Sequence, residues 1–225
     1  MKKIVFTATV LLGIASVHLS TAQANTRSGI EANSNTSGNV VMLGQDVQFE
    51  NSPYLSDTFQ EAVIMYKDEK LSKLMIRFNT YSNDLEYQQD GNNFTLTEPT
   101  IVGFRLPDGS IFRRGFQNLD RKQTNLTFYQ ILSEGNLSLV KYPHSRMQNK
   151  TQYNQATKLY AYVSDESFYL AKMDGTLVKV KKDKKSVFEA IPDKKEQLEE
   201  YLSKENLKLN NWENIIKLLK YYNSI

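Results

Sequence analysis

The sequence predicts an α+β fold: a mostly antiparallel β body of about ten strands in one or two sheets, then two or three short C-terminal helices. Three observations predict it. Apolar residues alternate at period two through the middle of the chain, as at Leu74, Ile76 and Phe78. Three Asp-Gly dipeptides, Asp90-Gly91, Asp108-Gly109 and Asp174-Gly175, each sit between apolar runs, a strong short-range hairpin signal. From Lys184 onward the apolar period becomes helical.

Residues 1–24 read as a signal peptide. Lys2 and Lys3 precede an apolar run from Ile4 to Leu19, and Ala22-Gln23-Ala24 places small residues where a signal peptidase reads them. The run is too short to span a bilayer, which needs about 20 apolar residues. The expectation is a protein of the periplasm or the exterior, with its mature N-terminus at Asn25 and no transmembrane segment after cleavage. Residues 25–39 are Asn, Ser, Thr and Gly with little apolar content, and read as a flexible leader.

Residues 40–183 form the expected β-rich body. Glu61–Tyr66 and Leu74–Phe78 read as strands joined through Lys67-Asp68-Glu69-Lys70. Lys73, Met75 and Arg77 fall on the face opposite Leu74, Ile76 and Phe78, so that strand is half buried. The Asp-Gly turns predict hairpins between Phe94-containing, Phe104-containing and Phe168-containing runs and their neighbours. A fourth hairpin is expected where Phe128–Leu132 meets Leu137–Val140 through Ser133-Glu134-Gly135-Asn136. Pro143–Thr157 is polar without periodicity and reads as a long loop, or as a boundary between two β halves.

Residues 184–225 form the expected helical tail. Lys185–Ile191 predicts one short helix stopped by Pro192. Asp193 with Glu196, and Asn210 with Glu213, match capping boxes for two more. Leu198, Tyr201 and Leu202 make one stripe; Trp212, Ile215, Ile216, Leu219 and Tyr222 make the other. The second stripe predicts a tail docked on the β body, because so short a helix is marginal alone in water.

Phe78-Asn79-Thr80-Tyr81 through Phe104, Phe128–Gly135 with Leu137 and Leu139, and the ending Lys217-Leu218-Leu219-Lys220-Tyr221-Tyr222-Asn223 resemble uncharacterised secreted envelope proteins of Bacteroidota-type bacteria. The resemblance spans most of the mature chain and rests on turn and packing residues. It implies an exported envelope protein and assigns no site residue.

Composition removes several chemistries. The chain has no Cys, so disulfides, thiolate metal sites and cysteine nucleophiles are excluded. The net charge of +3 falls to +1 without Lys2 and Lys3, too little to steer the chain toward nucleic acid. His144 is the only histidine beyond the leader, in a polar context without a recognisable triad partner. No zinc, calcium or phosphate-binding motif is present. Catalytic and metal residues are therefore expected to be none, cofactors none. Glu86, Asp108, Glu134, Asp165 and Glu166 are available for paired-carboxylate hydrolysis of polysaccharide. Arg113-Arg114 with Phe112 and Phe116, then Arg121-Lys122, form a basic-aromatic cluster, read as a solvated hairpin end with its aromatics turned inward. Asp57-Thr58-Phe59 matches a short acceptor pattern for O-glycosylation. The leading expectation is non-enzymatic binding or scaffolding of a protein or glycan partner; a carboxylate-dependent hydrolase is the alternative. A tyrosine-lined face or open strand edge favours the first, and two carboxylates facing across a cleft favour the second.

Overall fold

The computed structural model describes residues 47–154 and 157–225; the expected signal peptide and leader lie outside them. Eleven strands form one sheet. They are β1 (Val47–Glu50), β2 (Gln60–Tyr66), β3 (Leu71–Asn79), β4 (Asp84–Gln89), β5 (Asn92–Leu96), β6 (Ile101–Arg105), β7 (Ile111–Arg113), β8 (Tyr129–Ser133), β9 (Leu137–Asn149), β10 (Lys158–Lys172) and β11 (Leu177–Val180). Three helices follow, α1 (Lys184–Ala190), α2 (Lys195–Lys204) and α3 (Trp212–Tyr222). The spatial order is β1-β10-β9-β8-β7-β6-β2-β3-β4-β5, with β11 also on β10. Every pairing is antiparallel except β1 on β10. The α+β class is thus observed.

All four expected hairpins form, but the turns differ. Asp90 and Gly91 both have positive φ, 51° and 77°, as a two-residue type I′ turn requires. At the other two Asp-Gly sites only the glycine does, Gly109 at 88° and Gly175 at 83°. There the Asp carboxylate accepts from the N–H two residues on, Ser110 at 2.8 Å and Thr176 at 2.9 Å, the arrangement of a three-residue loop. Lys67–Glu69 repeats it without glycine. Asp68 accepts from Lys70 N–H, and Glu69 takes φ 62°.

The first half of Pro143–Thr157 is strand, not a loop or a boundary, while residues 150–154 lie in the connection to β10. Residues up to Asn149 continue β9, paired residue by residue with β10 from Lys172↔Leu137 to Tyr160↔Asn149. Its polarity misled because both faces of this stretch carry polar residues. Pro143 is tolerated for a directional reason. The N–H of Ser145, two residues on, points away from β10 to the carbonyl of Thr80, so the missing donor of Pro143 removes no β9–β10 bond.

That Ser145–Thr80 bond also marks how far the sheet curls. The turn after β3 reaches the middle of β9, where the buried Thr80 and Ser145 hydroxyls lie 2.7 Å apart. Asn83 accepts from the Phe128 N–H at 2.8 Å. Inside the curl, Phe78, Phe104, Phe112 and Phe128 pack with Ile64, Ile76, Leu85 and Ile101. Phe104 and Phe112, cross-strand neighbours, stack at 4.6 Å. Gly103 lets β6 and β7 approach, since a Cβ there would collide with the Phe112 carbonyl.

Further along, the same face is covered by the helices. Leu137, Leu139, Leu170 and Val180 pack with Val187, Leu198, Ile215, Leu218, Leu219 and Tyr222. The tail therefore docks on the β body. Its caps are not those expected. α2 begins after Lys194 in the left-handed region, φ 59°, with no side-chain cap. Asp193 instead accepts the Tyr222 hydroxyl at 2.7 Å. α3 is capped by Asn211, accepting from Asn214 N–H at 2.8 Å, not by Asn210. After α3, the Asn223 amide accepts from Leu137 N–H and donates to Leu137 C=O, both at 3.0 Å, which ties the tail to β9. The opposite face of β8–β11 is covered by residues 114–127, where Phe116 packs on Tyr129 beside Tyr142 and Tyr169. No helix among the described residues is long and apolar enough to cross a membrane.

Candidate binding surface

β10, fifteen residues long, carries β9 along its whole inner side but two short strands on its outer side. β1 covers residues 158–161 and β11 covers 168–171. Around β1 lies a strip of aromatic rings. Phe49 sits in register with Tyr160 and stacks on it at 5.9 Å, and on Tyr162 at 5.7 Å. Tyr81 meets Tyr162 edge-on at 5.4 Å. Tyr81 is presented by an Asx turn, in which Asn79 Oδ1 accepts from the N–H groups of Tyr81 and Ser82. Met147, across from Tyr162 on β9, extends the strip. Phe49 is 53% exposed, Tyr81 49% and Met147 45%. Partial burial, then the neighbouring Tyr81, raises the Tyr162 hydroxyl above its ordinary pKa. Tyr160 and Tyr162 beneath these side chains are half-buried.

The residues singled out from sequence are engaged elsewhere. His144 lies within β9, stacked on Tyr142 at 4.8 Å, its Nδ1 3.3 Å from the Tyr142 carbonyl. Its cross-strand neighbour is Asp165. Asp165 itself accepts from the Glu166 N–H at 2.8 Å, and Glu166 pairs with Lys141 at 2.9 Å. Asp108 closes its turn. Glu134 pairs with Arg113 at 2.7 Å. Arg114 donates to the carbonyls of Ile101 and Glu98, and burial lowers its pKa. Phe112 is buried and Phe116 partly so, while Arg121 and Lys122 are exposed. The cluster is thus a hairpin end with its aromatics inward.

Glu86 belongs to an arrangement the sequence reading missed. Arg77 Nη2 meets Glu86 Oε2 at 2.8 Å, with both side chains under one-fifth exposed. The guanidinium carbon lies 3.5 Å from the Tyr54 ring centroid and 4.7 Å from that of Phe59. Tyr54 donates to Glu86 Oε1 at 3.0 Å. Burial first, then that carboxylate, raises the Tyr54 pKa. Arg77 and Glu86 are direct cross-strand partners, so the hairpin register was the one signal that could have found them. Asp57-Thr58-Phe59 lies in the segment that covers this pair, with Phe59 on Arg77 and Thr58 exposed.

Among the described residues no group of three or more His, Asp or Glu side chains could hold a metal ion. No protein-family model, no curated protein and no solved structure matches the chain.

Proposed function

We propose that this is an exported envelope protein that binds a protein or glycan partner without chemistry, through the aromatic strip at the outer edge of β10. The observation that carries the reading is the run of exposed Phe49 and Tyr81 on half-buried Tyr160 and Tyr162, built on a strand edge. Rigid aromatic side chains give large contact area at low entropic cost, and they are enriched in binding surfaces. The hydrolase alternative has no such support. Each carboxylate considered for it is held by an arginine, a lysine or a backbone N–H.

The test is photo-crosslinking in cells from a benzophenone amino acid replacing Phe49, with the 81% exposed Met173 as the comparison position. A discrete adduct from position 49 and none from position 173 is expected. Equal adducts from both, or none from either, would overturn the reading.

A further inference from the structure

Between its two outer neighbours β10 is open. Ala161 is the last residue paired with β1 and Phe168 the first paired with β11. Residues 162–167 therefore have no strand beside them over about 20 Å, at roughly 3.3 Å per residue. Both neighbours are turned away by defined groups. Asn51 ends β1 in the left-handed region, φ 60°, and its amide donates to the Tyr162 carbonyl at 3.3 Å. Past β11, the Lys181 N–H turns to the Ser186 hydroxyl at 2.9 Å, and the chain enters α1.

Parity fixes which main-chain groups face the opening. Tyr162 points its carbonyl outward to Asn51, so Ser164 and Glu166 point the same way. The Glu166 N–H is taken by Asp165. The N–H and C=O of Ser164 have no partner among the described residues, and Ser164, Asp165 and Glu166 are all exposed. Beside the opening lies a recess of about 360 Å³, whose walls carry Lys179, Lys181, Lys182, Phe168 and Trp212 together with Asp165 and Glu166. Trp212 stacks on Phe168 at 3.9 Å, and the Lys182 ammonium sits 6.0 Å from its ring. None of these lysines has an ion-pair partner among the described residues. Glu166 pairs with Lys141 at 2.9 Å, so of the two carboxylates lining the recess only Asp165 has no ion-pair partner among the described residues.

We propose that this opening takes an extended acidic peptide segment of a partner protein, added as a short strand on β10 between β1 and β11. The proposal rests on the binding reading above and names the partner chemistry. The outward N–H and C=O of Ser164 are the pair that would bond a peptide main chain. The three lysines and the indole face select carboxylates and apolar stems beside it.

The test is fluorescence anisotropy of the full protein with a labelled, end-blocked peptide alternating glutamate and threonine. Saturable binding that weakens with salt is expected. The same peptide N-methylated at alternate residues should bind about tenfold more weakly or worse, as loss of main-chain bonds requires. Ser164→Pro should do likewise while keeping the β9–β10 pairing, as Pro143 does from the other side. Should Ser164→Pro fail to fold by circular dichroism, the N-methylated peptide on wild type decides. No binding, equal binding of the methylated peptide, or equal binding of a lysine–threonine peptide would overturn the proposal. So would concentration-dependent self-association abolished by Ser164→Pro, which would make the occupant a second copy. If the peptide fails while the adduct from position 49 persists, this inference falls and the binding reading stands.

Discussion

Two regions of the sheet bury the same face by different means. From β2 to β7 the sheet curls, and the face closes on itself around four phenylalanines. From β8 to β11 the face is covered by α1–α3, chiefly through leucine, isoleucine and valine, with Tyr222 and the Trp212–Phe168 stack at the margins. Flat aromatic rings can stack face to face or edge-on inside a tight curl, as Phe78, Phe104, Phe112 and Phe128 do. Branched aliphatic side chains suit the ridges of a helix laid on a more open sheet. A curled region supplies its own cover, whereas an open one depends on a separate stretch of chain. The helices are therefore as much a part of this core as the strands.

The strongest way to break the comparison is to remove the helices. A chain ending at Asp183 exposes Leu137, Leu139, Leu170 and Val180. The buried Ile215, Leu218, Leu219 and Tyr222 of α3 alone are worth on the order of 6–12 kcal/mol at 1.5–3 kcal/mol each. That matches the whole stability of an ordinary domain. The truncated chain is expected to be insoluble, or to melt many degrees lower by calorimetry. An unchanged melting temperature would mean that the curl stands alone and the helices are an appendage.

The curl has its own test. Phe104 is fully buried and touches three other phenylalanine rings. Phe104→Ala should cost about 3–5 kcal/mol in urea unfolding, since the rigid rings around it cannot collapse into the space. Thr80–Ser145 and Asn83–Phe128 tie the curl to β8 and β9. The loss should therefore appear in one transition shared by both regions. Two separate transitions would show that the cores fold independently.

These two regions were not equally legible in the sequence. The hairpins of the curl could be read because alternation and Asp-Gly turns are local signals, as at Leu74, Ile76 and Phe78. The docked tail could be read from the stripe of α3. What escaped was set by distant partners. Pro143–Asn149 is strand because β10 lies beside it, and no local pattern announces that. Asp193 fits an N-cap locally, yet Tyr222, far along the chain, claims its carboxylate. The candidate surface had no local signal beyond the 13 tyrosines of the chain. That Phe49, Tyr81, Tyr160 and Tyr162 converge follows from the parallel pairing of β1 on β10 and from the curl that carries Tyr81 back to it.

The finest test concerns the contact between Tyr222 and Asp193, which joins α3 to the turn before α2. Burial first, then the hydrogen bond to Asp193, pushes the Tyr222 hydroxyl up to about 12 from its ordinary 10. The folded chain holds this proton more tightly than the unfolded chain does. The contribution to stability is therefore complete below pH 10 and is lost as pH rises from 10 to 12. Tyr54, Tyr129, Tyr142 and Tyr162 are shifted upward as well, chiefly by burial, and they steepen the same alkaline decline. Tyr222→Phe removes one hydrogen bond to a carboxylate, so it should lower stability by about 1–2 kcal/mol at neutral pH. It should also make the fall in melting temperature between pH 10 and 12 shallower without abolishing it. A substitution that lowers stability equally at pH 7 and pH 12 would show that Tyr222 acts by packing alone. The helical cover would then hold to the sheet through its apolar stripe and the Asn223–Leu137 pair, with no part played by the Asp193 carboxylate.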